Sequence, residues 1–296
     1  MGLGTGPWGN TSTWGFGDGY AEEDVKKAFK VSLDAGITLF DTAEVYGDGV
    51  AETILGEVLR EYGAGRKLIV ATKFMPGEGR QSRKDILEAL VSSLRRLGLN
   101  TIDLYQIHYP LPPSPVDTWA EALKEAIDRG LTGAVGVSNF DEVEMRRMHE
   151  ALTRHGVPLA SNQVRYNVLF REIETNGVMA ACRELGVTVI AWGPMAQGLL
   201  TGKYGPENPP RLARRERYKD ILGRVPGVVA EMERVGRAHG GKTPAQVALN
   251  WVMAKGAIPI PGAKTAAQAL DNTGALGWKM TCQEVARLDE ASTGSA

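Results

Sequence analysis

Cysteine is almost missing from this chain. Its two cysteines, Cys182 and Cys282, stand a hundred residues apart. They offer no disulfide framework and no zinc spacing, which fits a reducing compartment. Long apolar runs are missing too: none approaches the ~20 residues needed to span a bilayer. The opening Met1-Gly2-Leu3-Gly4-Thr5-Gly6 has neither the basic region nor the apolar core of a secretory signal. A cytoplasmic location is therefore expected, although a plastid protein stripped of its transit peptide would look the same. Neither charge sign is in excess, since the formal net charge is −1. That gives no electrostatic ground for nucleic acid or an anionic membrane as partner. Histidine is scarce as well. His149, His155 and His239 read as surface or capping residues, no pair has metal-ligand spacing, and no metal is expected. Finally, the glycines of Gly2-Leu3-Gly4-Thr5-Gly6 lack the G-x-G-x-x-G spacing of a dinucleotide-binding turn, and no helix follows at once.

What the chain has is alternation. Of its 296 residues, 43% are hydrophobic and 23% charged, ordinary for a globular protein with a large core. Short β-branched runs predict strands over residues 3–5, 37–40, 68–72, 102–107, 134–137, 159–164, 187–191 and 257–260. Amphipathic stretches predict helices near 21–35, 51–60, 82–97, 116–129, 142–155, 177–185, 228–239, 244–254 and 266–276, with an extra one over 283–291. Glu22, Glu23 and Asp24 fall in a first turn, where the macrodipole favours acids. Ser82 and Thr243 are N-cap candidates. Residues 193–225 read as a long irregular segment. Repeated βα units imply parallel strands with right-handed crossovers, and eight of them imply a closed (β/α)8 TIM barrel. No linker divides the chain, so one α/β domain over 1–296 is expected. A barrel of this size needs no partner, and a monomer or weak homo-oligomer follows.

Three strands run straight into ionisable residues. Phe40 precedes Asp41, Thr72 precedes Lys73, and Ile107 precedes His108, while Tyr46 sits in a glycine-containing loop just after Asp41. The C-terminal ends of barrel strands are where this architecture keeps its chemistry. An acid, a base, a phenol and an imidazole would then meet in one pocket. On their own, Asp41 and Lys73 would serve equally as a buried ion pair locking two strands.

Further segments narrow the reading. Leu3-Gly4-Thr5, Phe40-Asp41-Thr42-Ala43-Glu44-Val45-Tyr46-Gly47, Thr72-Lys73 and Gln106-Ile107-His108 are followed by Gly136-Val137-Ser138-Asn139-Phe140, Asn162-Gln163-Val164-Arg165-Tyr166-Asn167 and Ile260-Pro261-Gly262-Ala263-Lys264. Taken together and in order, they resemble the aldo-keto reductases over residues 3–276, in the bacterial, plant and channel-β-like branch. The resemblance implies a barrel that binds NADP(H) across its C-terminal mouth and reduces a small-molecule carbonyl to an alcohol. It puts Asp41, Tyr46, Lys73 and His108 on the family's catalytic tetrad. Tyr46 is then the general acid, its pKa lowered by Lys73, which Asp41 holds charged, while His108 polarises the carbonyl. It puts Ser138, Asn139 and Gln163 on the nicotinamide carboxamide and Trp192 against the ring. Gly193, Pro194, Met195, Gln197, Gly198 and Leu199 fall along the pyrophosphate, with Gly193 where the family often has Ser. Lys264 and Thr265 fall at the 2′-phosphate, Gln268 and Asn272 at the adenosine with Asp271 in place of a more usual Glu, and Thr5 and Gly262 beside the cofactor. Trp8, Trp14, Phe16, Tyr109 and the loop around Met75 are expected to line the substrate pocket. The basic stretch 211–219 reads as a solvated helix or a lid over phosphates, and one departure from the family is a reduced N-terminal hairpin.

Two other functions share these residues. One is an NADP(H)-binding redox-sensing or regulatory subunit with slow turnover. The other is a Schiff-base aldolase with Lys73 as nucleophile.

Overall fold

Strands and helices alternate along the whole of the computed structural model, which describes residues 1–210 and 213–293. The order is β1 (Gly2–Gly4), α1 (Thr11–Trp14), α2 (Glu22–Asp34), β2 (Leu39–Asp41), α3 (Val50–Tyr62), β3 (Ile69–Phe74), α4 (Arg83–Leu97), β4 (Ile102–Ile107), α5 (Val116–Asp128), β5 (Thr132–Ser138), α6 (Glu142–Arg154), β6 (Leu159–Arg165), α7 (Val178–Leu185), β7 (Thr188–Trp192), α8 (Ala213–Tyr218), α9 (Val225–Ala238), α10 (Pro244–Ala254), β8 (Ile258–Pro259), α11 (Ala266–Thr273) and α12 (Cys282–Thr293). The strands pair in chain order, all parallel. A bridge between Gly4 and Gly262, with Gly4 N–H donating to the Pro261 carbonyl at 3.0 Å, joins the two edges. This is the expected eight-stranded (β/α)8 barrel.

Local chemistry explains the helix limits. Ser82 accepts from Asp85 N–H and Thr243 accepts from Gln246 N–H, each within a capping box. α4 stops at Gly98, whose φ of 65° is cheap only for glycine. The apolar residues then divide between two cores. A large one, with Phe29, Phe40, Leu90, Ile107 and Trp119, lies between strands and helices. A small one, Ala71, Leu104, Ile190 and Ile260, fills the barrel. Gly136 is needed inside it, because a Cβ there would stand 2.3 Å from Ser161 Oγ.

The structure departs from expectation in three places. The short helix α1 appears in the loop after β1, capped by Asn10. The segment read as irregular carries two 3-10 turns, Ala196–Thr201 and Lys219–Ile221; α8 lies in the basic stretch, where a helix is one of the two readings, and Arg211 and Leu212 of that stretch lie outside the described residues. The last strand keeps only Ile258–Pro259; Ile260 N–H still donates to the Ala191 carbonyl at 3.1 Å, and Pro261, with no N–H, follows. Among the described residues no helix is long and apolar enough to cross a membrane.

Candidate active site

Residues two apart on a strand share a face, so Lys73 follows Ala71 into the barrel. Gln163 on β6 donates to Asp41 Oδ2 on β2 at 2.8 Å, a contact between strands that are not neighbours in the sheet. It can only cross the interior. Asp41 and Lys73 therefore meet inside the C-terminal mouth, 2% and 0% exposed. The Lys73 ammonium donates to Asp41 Oδ1 at 2.6 Å, to the Thr42 carbonyl at 2.7 Å and to Tyr46 Oη at 3.5 Å. Tyr46 reaches it from a turn in which Gly47, Asp48 and Gly49 all have left-handed φ, between 52° and 90°. His108 is fixed through its own N–H to the Phe74 carbonyl at 2.8 Å. Its ring meets Tyr46 edge-on at 5.8 Å and stacks on Tyr109 at 5.3 Å. All four residues are thus brought together.

Their electrostatics differ from expectation at one point. Burial acts most strongly on Tyr46 and raises its pKa above the ordinary value; Lys73 pulls the other way and does not prevail. The reason is visible in the geometry. Asp41 stands 2.6 Å from Lys73, so the phenol faces an ion pair rather than a lone cation. For Lys73 itself, burial opposes the charge, but Asp41 and then Tyr46 outweigh it and the pKa lies above the ordinary lysine value. Burial, helped by the Lys73 charge, lowers His108 to about 3. Its imidazole is neutral at any ordinary pH, and its buried Nδ1 has no hydrogen-bond partner among the described residues.

The residues expected around a nicotinamide form one network beside these four. Ser138 Oγ donates to the Gln163 carbonyl at 2.7 Å. Asn139, held at φ 62°, donates to the His108 carbonyl and to Ser138 Oγ, both at 3.0 Å. Trp192 donates its indole N–H to Asn139 Oδ1 at 2.9 Å. One of the two amide N–H groups of Gln163 is committed to Asp41. Beneath them Thr5 is fully buried, and its N–H donates to the Asp41 carbonyl at 2.8 Å.

The stretch after β7 turns through left-handed φ at Gly193, Ala196, Gln197 and Gly198. Successive turns of this kind leave backbone N–H groups facing a concavity suited to an anion. A Cβ at Gly193 would meet nothing within 4 Å, so its backbone borders open space. Pro194 and Leu199 are buried, which limits them to backbone contact, while Met195 is half-buried. Asn167 Nδ2 holds the loop at the Gly193 carbonyl, and Arg217 of α8 reaches Gln197 Oε1 at 3.4 Å.

Beyond β8, Thr265 caps α11 by accepting from Gln268 N–H, and Gln268 Oε1 accepts from Lys264 N–H at 2.9 Å. Asn272 is buried and reaches back to the Gly262 carbonyl. The Lys264 ammonium donates to the Trp14 carbonyl at 2.7 Å and lies over the rings of Trp14 and Tyr20. Asp271 instead turns to α10, accepting from Thr243 and Gln246 at 2.9 Å.

On the substrate side, Trp8 corrects the sequence reading. It is fully buried and donates its indole N–H to the Ala263 carbonyl at 3.0 Å, closing the β1 loop onto β8. Trp14, Phe16 and Met75 are half-buried and Tyr109 is exposed. One rim feature had no sequence signal. Arg80 pairs with Glu44 at 2.8 Å and Met75 N–H donates to the same carboxylate at 2.7 Å, an alliance across 36 positions.

The model of the aldo/keto reductase family matches residues 1–293. The chain is 34% identical to the chloroplastic pyridoxal reductase of Arabidopsis thaliana, over 99% of this chain and 82% of that protein. It is 31% identical to aldo-keto reductase yakc of Schizosaccharomyces pombe, whose name specifies NADP(+), over 92% of this chain and 83% of that one. Among solved structures, the glycerol dehydrogenase of Gluconobacter oxydans superposes with a TM-score of 0.83 at 29% identity, covering 98% of this chain and 90% of that chain.

Proposed function

The chain belongs to the aldo-keto reductase family, and on that premise we propose that it is an NADPH-dependent carbonyl reductase with Tyr46 as general acid. The observation that carries this reading is the buried contact chain from Asp41 through Lys73 to Tyr46, beside a neutral His108. A bound nicotinamide would supply the hydride for the carbonyl carbon. The protein's task is then the oxygen, which gains negative charge and needs a proton. Tyr46, with its pKa raised by burial, keeps its proton at neutral pH and has it ready to give. Once the proton leaves, Lys73 is the cation that stabilises the phenolate, and Asp41 keeps Lys73 in place. A neutral His108 has one N–H to offer the carbonyl oxygen.

The residues fit the cofactor. Ser138, Asn139, Gln163 and Trp192 would hold the nicotinamide, with Thr5 and Gly262 close by. The backbone from Gly193 to Leu199, including Met195, Gln197 and Gly198, would take the pyrophosphate. Lys264 and Thr265, at the start of α11, would take the 2′-phosphate, where a cation and a helix N-terminus act together; Gln268 and Asn272 would face the adenosine. The relative named for NADP(+) supports this preference. The aromatic and apolar rim of Trp14, Phe16, Met75 and Tyr109 supports an apolar or aromatic carbonyl as substrate. The pyridoxal reductase relative makes pyridoxal the first aldehyde to try.

The test is NADPH oxidation with pyridoxal, aromatic and aliphatic aldehydes and cyclic ketones, run beside Tyr46→Phe. The variant should lose about 10²- to 10⁴-fold in kcat while still binding cofactor. A variant as fast as the parent would remove Tyr46 as the acid. Equal affinity for NADPH and NADH would remove the 2′-phosphate assignment. Tight NADPH binding without oxidation by any carbonyl would point to the regulatory subunit.

A further inference from the structure

One buried carboxylate lies outside the four mouth residues yet touches the strand that carries Lys73, from the helix that follows the Tyr46 turn. Glu52 on α3 is fully buried. Its Oε1 accepts from Thr72 Oγ1 at 2.6 Å, and its Oε2 accepts from Arg96 Nε at 2.6 Å. Thr72 immediately precedes Lys73 on β3 and points to the opposite face of the strand. Arg96 lies near the end of α4 and is steadied by Ser93 Oγ at 3.2 Å. Glu52 therefore ties three elements together behind the ion pair.

The tie matters because of the turn that precedes α3. Tyr46 is followed by three consecutive residues in left-handed conformation, Gly47, Asp48 and Gly49. The turn closes on itself where Val50 N–H donates to the Tyr46 and Gly47 carbonyls. It is also gripped from outside. A Cβ on Gly47 would stand 2.7 Å from the Gly9 carbonyl carbon, so one side rests on the β1 loop. A Cβ on Gly49 would stand 2.7 Å from Arg96 Cδ, so the other side rests on the arginine stem. Gly56 brings α3 close to the end of α4, where a Cβ would stand 2.5 Å from the Leu97 carbonyl oxygen. The arginine that supports the turn is thus aimed by Glu52, and the same carboxylate is anchored next to Lys73.

We propose that Glu52 is a positioning residue for Tyr46: by holding Arg96 and Thr72 together it fixes the turn bearing Tyr46 against the strand bearing Lys73. It sets the 3.5 Å separation between phenol and ammonium, and it touches neither substrate nor cofactor. The inference rests on Tyr46 being the acid.

The test uses Glu52→Gln, which keeps an acceptor for Thr72 but drops the charge that holds Arg96. Thr72→Val is its companion; it keeps the Glu52–Arg96 pair and the side-chain shape, and covers the case in which the first variant does not fold. Each is compared with the parent and with Tyr46→Phe for kcat, cofactor dissociation constant and the pH profile of alcohol oxidation. Both variants should lose about ten- to a hundredfold in kcat, the scale of a misplacement of about 1 Å, with cofactor affinity unchanged. With Tyr46 further from Lys73, the lowering influence of the ammonium weakens. The rise of alcohol oxidation with pH should then move to higher pH. An unchanged kcat in both folded variants overturns the proposal, and so does a loss of kcat with an unshifted profile, which would make the tie structural only. A fully active Tyr46→Phe would instead overturn the reading beneath it.

Discussion

A histidine buried in its neutral form ties the stability of this chain to acid. His108 is 8% exposed and its pKa falls from 6.5 to about 3. Between these values the unfolded chain takes up a proton that the folded chain refuses. The stability that comes from this is fully present above pH 6.5 and drains away as pH falls toward 3. From pH 7 to pH 4 the loss amounts to about 2–4 kcal/mol for this one group. Denaturant titrations at the two pH values, on the parent and on His108→Asn, would measure it. The parent should lose that much more than the variant, and equal losses would show that the ring titrates normally. The site residues were readable in the sequence because each ends or follows a strand, and strand ends converge in a barrel. Trp8 was not readable. It lies in a glycine-rich loop with no period, and its partner, the Ala263 carbonyl, comes at the far end of the chain. The net effect on Tyr46 was hidden for a related reason, because it depends on how completely Asp41 balances Lys73, a matter of distance rather than of residue type.

At the scale of elements, periodicity carried most of the fold. The helices expected over 116–129 and 244–254 form as Val116–Asp128 and Pro244–Ala254; apolar spacing marks the first, and the second is opened by its cap Thr243. The one-turn helix Thr11–Trp14 had too few residues to show a stripe. The strands owe their packing to residues that patterns do not rank. Gly136 on β5 has an ordinary backbone conformation, so alanine there would be unstrained as a chain. It would still meet Ser161 Oγ at 2.3 Å inside the barrel. Gly136→Ala should therefore cost about 1–3 kcal/mol by overpacking, read as a lower melting temperature. Removing the hydroxyl leaves Gln106 Cγ and the Ser161 carbonyl oxygen, each at 3.1 Å, as the nearest atoms. Adding Ser161→Ala should recover part of the loss. If the double variant melts no higher than Gly136→Ala alone, the clash is not the cause.

At the scale of the whole molecule, a cluster of charges joins the C-terminal helix to the barrel. Asp289 on α12 accepts from the Trp251 indole N–H at 2.9 Å and pairs with Lys255 at 2.9 Å and Arg171 at 3.2 Å. Arg171 also donates to the Asp289 carbonyl and to Ser292 Oγ. The extra helix was legible from its own sequence, but its docking was not, since the partners come from residues 171, 251 and 255 and share no motif. Glu174 is the second acid of the cluster, pairing with Arg171 at 2.7 Å and Lys255 at 3.1 Å. This duplication makes a specific prediction. In Asp289→Ala both cations keep Glu174, so only the indole bond and one charge partner are lost, a cost of about 1–3 kcal/mol. Glu174→Ala leaves Asp289 to do the same. The double variant strands two cations, 21% and 18% exposed at their side chains, with no acid beside either. Breaking the last pair is what leaves partly buried charges uncompensated, so the two losses should exceed their sum by about 0.5–3 kcal/mol. Chemical denaturation of the four proteins closes the cycle. Simple additivity would mean that the helix is held by its apolar face and that the charges are incidental.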